Sequence, residues 1–260
     1  MMNKCIKKTL CLVLCVLMLC FAFAGCNAEE PANTQDETTT AQDQTADSQE
    51  QTPEQEEPVV KKETREEFFD NAAFIGDSVT LKLRNYNMQN GTLGKATFLC
   101  IGSYSVNNAV TNGLYLSYQG QDMTPQDALK KCGANKVFIM LGMNDIALFG
   151  ENSIDIAMQN WATMLANIRK ECPTIAIYIQ SGTPIYTAGQ VGGLNNERMD
   201  AYNARLRTFA EENDCIYVDI ATSMKDSTGG LAKAYCSDEY VHFTDAGCRV
   251  WISVLEKLVG

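Results

Sequence analysis

Between residues 65 and 260, short apolar runs alternate with stretches in which apolar residues recur every three or four positions. The runs are 73–75, 97–101, 136–141, 175–179 and 215–220. They are apolar on successive positions, which predicts strands buried on both faces. Helical spacing links Ile154, Ala157, Trp161, Leu165 and Ile168. It also links Met199, Tyr202, Leu206 and Phe209, and then Trp251, Val254, Leu255 and Leu258. A shorter helix is expected over 127–132, ended by Gly133. Strands alternating with helices predict a parallel sheet with helices on both faces. The expected fold class is therefore α/β, a three-layer α/β/α sandwich on a five-stranded parallel sheet of flavodoxin-like order. In such sheets a site lies beyond the carboxyl ends of the strands.

The pattern is different before residue 65. Lys4, Lys7 and Lys8 precede an uncharged apolar stretch over 10–24, which ends in Ala24-Gly25-Cys26. The stretch is short for a spanning helix and has the flanks of a secretory signal. Small residues directly before a cysteine resemble a bacterial lipoprotein signal, which implies lipidation of Cys26 and a membrane anchor. Residues 27–60 carry ten acidic and no basic residues, three prolines, and no aromatic residue, Leu, Ile or Met. A chain of that composition cannot bury enough apolar surface to offset its ordering entropy. The expected organisation is a signal over 1–26, a disordered acidic linker over 27–64 and one folded domain over 65–260. The net charge of −11 follows from this layout, because the signal carries +3 and the linker −10, leaving −4 for residues 61–260. No basic cluster is present, so nucleic acid is not an expected partner.

Six of the eleven cysteines lie in the folded part: Cys100, Cys132, Cys172, Cys215, Cys236 and Cys248. There is no CxxC and no Cys/His pair at ligand spacing, so neither a metal nor a cofactor is expected. Cys100 and Cys215 fall in predicted buried strands, where cysteine acts as a small hydrophobe. Mostly free thiols are expected, with one bridge through Cys236 as the alternative.

Chemistry-bearing residues gather at the predicted strand ends. The first strand runs into Gly76-Asp77-Ser78, at the start of a helix. Asp77 and Ser78 there can simply cap the helix; alternatively, the Ser78 hydroxyl can attack a carbonyl, with unpaired backbone N–H groups beside it. The second strand ends at Gly102, whose missing side chain lets a backbone N–H approach a ligand. The third ends at Gly142-Met143-Asn144-Asp145, where Asn144 is either turn chemistry or an amide donor to an oxyanion. His242 is the only histidine in the chain. It sits in a loop after Asp238 and Glu239, before a last helix whose expected N-cap is Thr244. The stretch 181–196, with Gly189, Gly192 and Gly193, and the stretch 113–125, with Tyr115, Tyr118 and Gly120, are expected as walls of the site or surface loops.

These blocks, in this order over about residues 70–250, resemble the SGNH (GDSL-like) hydrolase family. The resemblance implies the SGNH hydrolase fold, Ser78 as nucleophile and His242 as general base and then acid. It implies an oxyanion hole made by the N–H groups of Ser78 and Gly102 and the side-chain amide of Asn144. The family usually has an aspartate three residues before the histidine. That place is held here by Glu239, with Asp238 one residue earlier. Asp238 is preferred as the third catalytic residue, since it has the family's residue type; the alternatives are Glu239, which has the register, and a Ser–His dyad that neither acid contacts. The implied activity is that of an extracytoplasmic, lipid-anchored serine esterase, taking O-acetyl or other short acyl esters of extracellular carbohydrate. The alternatives are an O-acyltransferase, a lipase or lysophospholipase on the same fold, and a non-catalytic lipoprotein that binds glycan or a partner.

Overall fold

The computed structural model describes residues 63–259. The predicted signal, Cys26 and nearly all of the acidic linker lie outside the described residues. The chain begins with α1 (Arg65–Asp70), β1 (Ala72–Gly76), α2 (Ser78–Asn90), β2 (Thr97–Cys100) and α3 (Val106–Thr111). It continues with β3 (Leu116–Tyr118), β4 (Gln121–Met123), α4 (Pro125–Cys132), β5 (Lys136–Met140), α5 (Met143–Leu148) and α6 (Ser153–Glu171). It ends with β6 (Ala176–Gln180), α7 (Asn196–Glu212), β7 (Ile216–Val218), α8 (Ala221–Met224) and α9 (Asp245–Leu255).

Five strands form one parallel sheet in the order β2-β1-β5-β6-β7. Because side chains alternate along a strand, each strand feeds both faces. Ala73 and Ile75 of β1 and Val137 and Ile139 of β5 enter one apolar core, packed with Leu129, Trp161, Leu165, Tyr202 and Leu206 from α4, α6 and α7. Phe74 and Phe138 enter the other, packed with Phe69, Leu83, Trp251 and Leu255 from α1, α2 and α9. Both faces are thus covered by helices, as the apolar runs predict.

Element ends depart from expectation for local reasons. Ile101 and Leu141 leave the sheet, starting the loops that carry Gly102 and Gly142. The fourth sheet strand begins at Ala176, one residue later than expected. The last shrinks to three residues. Cys215 N–H returns to the Ala210 carbonyl at 2.9 Å, while Ile220 and Ala221 N–H both donate to the buried Ser181 Oγ. Helix α4 starts at Pro125, with Thr124 Oγ1 as its cap, so it is longer than expected. Helix α9 ends at Leu255, and Leu258 belongs to a following 3₁₀ turn. Thr244 caps α9 as expected, its Oγ1 accepting from Gly247 N–H. At the domain's start, Thr64 caps α1 and Glu63 pairs with Lys136 at 2.8 Å. All six described cysteines are free. Cys215 is buried, but Cys100 is only half-buried, since β2 is an edge strand.

The stretch 113–125 is not a wall of the site. Most of it folds into the antiparallel hairpin β3–β4, and none of its residues lines the cleft at the sheet's top.

Candidate active site

In the sheet, β1 and β5 are neighbours, and the direction in which strands are added reverses between them. A crevice forms beyond the strand ends at such a reversal. Ser78 follows β1 and Asn144 follows β5, so the topology alone sets them on opposite sides of one opening. The cleft there has a volume of about 290 Å³. Ser78, Gly102, Ser103, Met143, Asn144, Ala147, Leu194, Tyr240 and His242 contribute to its lining.

Asp77 is the N-cap of α2, its carboxylate accepting Val79 N–H at 2.9 Å. This leaves Ser78 as the first helical residue, half-buried at the cleft's floor. The N–H groups of Ser78 and Gly102 have no acceptor among the described residues. Among the described residues, nothing beyond its chain neighbours lies within 4 Å of a Cβ built on Gly102, so its backbone opens onto free space. Gly142 has φ of +116°, and a Cβ there would lie 2.1 Å from the Tyr202 hydroxyl. A side-chain-bearing residue could not make the turn that sends Asn144 into the cleft.

His242 reaches Ser78 from the far end of the sequence. Its Nε2 lies 3.0 Å from Ser78 Oγ, and its Nδ1 lies 2.5 Å from Asp238 Oδ2. The loop that presents it is closed at its base. Ser237 N–H donates to the His242 carbonyl and Thr244 N–H to the Tyr235 carbonyl, both at 2.8 Å. Within the loop, Asp238 Oδ1 accepts from the N–H groups of Tyr240, Val241 and His242. Glu239 has a positive φ of 57°, which folds the loop back so that the residue four before the histidine meets the ring. Glu239 itself is exposed. Burial pushes the Asp238 carboxyl up, but hydrogen bonds from the His242 ring and from the His242 and Tyr240 backbone outweigh it. The net effect holds Asp238 below the usual carboxylate range, so it is an anion at neutral pH.

Asn144 lines the cleft, but its Nδ2 already donates to Asp77 Oδ2 and to the Tyr104 carbonyl, each at 3.0 Å. Both of its N–H groups are therefore engaged within the protein. Asp77 is fully buried, and that burial raises its carboxyl to about 6 despite the opposing Val79 N–H and His242. Asp145 is buried and receives Val106 and Asn107 N–H at 2.9 Å each, fixing the start of α3. The stretch 181–196 does reach the site. Leu194 lines the cleft, and Tyr186 N–H donates to the Tyr240 carbonyl at 2.8 Å, buttressing the histidine loop. A serine, an imidazole and a carboxylate in this chain of hydrogen bonds can carry out acyl transfer through a covalent intermediate. Among the described residues, no group of three or more His, Cys, Asp or Glu is placed to hold a metal.

Comparison with known proteins agrees with this fold. The sequence pattern of the GDSL-like Lipase/Acylhydrolase family matches residues 74–250. Curated protein sequences give no match. Among solved structures, a candidate acylhydrolase from Bacteroides fragilis superposes with a TM-score of 0.59 at 20% identity, covering 72% of this chain and 85% of that one. A GDSL-like lipase from Bacteroides thetaiotaomicron gives 0.55 at 18% identity, over 72% and 86% of the two chains. An acetylxylan esterase from Geobacillus stearothermophilus gives 0.52 at 17%, over 73% and 93%. At these identities the superpositions speak for the fold, and the α/β sheet with its flanking helices is that of the SGNH hydrolases. With the family pattern spanning the first core strand through the histidine loop and into the last helix, the chain belongs to the GDSL-like lipase/acylhydrolase family.

Proposed function

We propose that the protein is a serine esterase, held outside the cytoplasm by a lipid on Cys26, that removes acetyl or other short acyl groups from extracellular carbohydrate. The observation that carries the enzymatic part is the hydrogen-bonded chain from Ser78 Oγ through His242 to Asp238. In this reading His242 Nε2 takes the Ser78 proton as Oγ attacks the ester carbonyl. The carbonyl oxygen becomes an oxyanion facing the N–H groups of Ser78 and Gly102. The Asn144 amide joins them by releasing Asp77 or the Tyr104 carbonyl. The imidazolium then gives its proton to the departing alkoxide, leaving acyl-Ser78. Water, deprotonated by the same nitrogen, attacks that ester; the bond from the acyl carbon to Ser78 Oγ breaks, Oγ takes the proton back from His242, and the acid leaves. Asp238 keeps the ring proton on Nδ1 and stabilises the imidazolium.

The location rests on the basic, apolar and small-residue order of 1–26, and the acidic stretch after it serves as a tether. Carbohydrate as acceptor is supported by that location and by the acetylxylan esterase among the fold relatives. The test is incubation of the purified protein with a chromogenic acetyl ester and with an O-acetylated polysaccharide. Acetate release from both is expected. Release from neither refutes the hydrolase, and release from the small ester alone refutes the carbohydrate.

A further inference from the structure

Beside the polar groups of Asp77, Ser78, Ser103, Asn144 and His242, the cleft is lined by Met143, Ala147, Leu194, Tyr240 and Val241, aliphatic except for the tyrosine. Two exposed residues extend that aliphatic part outward. On α5, Leu148 lies one helical turn beyond Asn144, as Ala147 lies one turn beyond Met143, so it continues the face that lines the cleft. In the turn after β6, Val191 and Leu194 exchange backbone hydrogen bonds of 3.1 and 3.0 Å. Residues paired in this way send their side chains to the same side of the ribbon. Val191 therefore continues the wall that Leu194 begins. Leu148 is 71% exposed and Val191 68%. Large apolar side chains with this much exposure are few among the described residues, and two of them lie within three residues of ones that line the cleft.

We propose that this strip is an acyl-chain subsite and that the preferred esters carry an aliphatic acyl chain longer than acetyl. The inference rests on the esterase reading above and narrows its substrate. In an ester of a sugar, the acyl chain is the one component with consecutive methylenes. Leu, Val, Ala and Met offer a sugar ring no hydrogen-bond partner, but they match a methylene chain. An acetyl group ends close to the carbonyl and leaves Leu148 and Val191 in water. A longer chain buries both residues and itself.

The test uses ethyl esters, whose small leaving group cannot occupy the strip itself. kcat/KM is measured by proton release for ethyl acetate, butyrate and hexanoate. The proteins are the wild type and the double variant Leu148→Ser/Val191→Ser. Both positions are exposed, so folding should be unaffected. In the wild type, kcat/KM should rise roughly twofold to fourfold per added methylene. In the double variant the rise should vanish while acetate hydrolysis stays as it was. A wild-type series that is flat or falls beyond acetate overturns the subsite and leaves the esterase standing. So does a double variant that slows all esters alike. Failure to hydrolyse any ester, acetate included, overturns both.

Discussion

Asp238 and Glu239 are adjacent carboxylates, and the backbone between them decides which one meets His242. The positive φ of Glu239 turns the loop so that Asp238 accepts three backbone N–H groups and the imidazole. No glycine marks that turn, which is why the sequence left two candidates at spacings of three and four residues. Asp238→Asn should therefore lower kcat steeply, up to the ~10⁴-fold seen for such an amide change in a serine protease. Glu239→Gln should stay within about twofold, as exposed changes do. Steady-state kinetics with circular dichroism as a folding control check this, and a larger loss at Glu239 would move the role there. The serine, histidine, asparagine and glycine positions were legible because each stands at a strand end or in the last loop. The structural work of Asp145 was not, since it caps α3 from nearly forty residues away. Asp77 was legible only as a cap, and its grip on Asn144 joins two strand ends. The Asp77 carboxyl is raised to about 6 from an ordinary 3.8. The folded protein thus binds this proton more tightly than the unfolded chain. The contribution of Asp77 to stability is greatest below its ordinary value and falls as pH rises towards 6. Urea unfolding of wild type and Asp77→Asn at pH 4, 5 and 6 checks the sign, with the wild type losing up to about 1.4 kcal/mol per pH unit relative to the variant. A constant difference between the two contradicts it.

At the level of elements, the apolar runs identified all five sheet strands, and what they could not show was which aromatic residues meet across strands. Phe98, Phe74, Phe138 and Tyr178 stack from β2 through β1 and β5 to β6, with centroids 5.0, 4.8 and 4.5 Å apart in turn. Parallel register aligns them, because Phe74 is level with both Phe98 and Phe138, and Phe138 with Tyr178. Phe138 is fully buried in the middle of this row. Phe138→Ala should cost roughly 3 to 5 kcal/mol, read as a lowered denaturation midpoint at unchanged slope. A cost below about 1 kcal/mol would show that the ladder contributes little. The β3–β4 hairpin escaped the sequence for a local reason. Its turn places Gln119 at φ 51° and Gly120 at φ 74°. Positive φ at both central positions suits a tight hairpin, but the usual residue before the glycine is Asn or Asp, and Gln gives no such signal.

On the scale of the whole molecule, one topological fact positions the site. The order β2-β1-β5-β6-β7 puts the serine strand beside the asparagine strand, and a closed loop before α9 brings the only histidine over them. That arrangement was legible because strand–helix alternation leaves few sheet orders. The relation of this domain to the acidic stretch and the lipoprotein-like start rests on composition alone, since both lie almost wholly outside the described residues. The central claim is that Ser78, driven by His242, is the acylated residue. It is tested most directly by reacting the protein with an alkyl fluorophosphonate and mapping the adduct by peptide mass spectrometry, alongside Ser78→Ala and His242→Ala. The account predicts a single adduct on Ser78, none in Ser78→Ala, slow labelling in His242→Ala, and ester hydrolysis lost in step with labelling. An adduct on another residue, or undiminished hydrolysis by a folded Ser78→Ala protein, would contradict it.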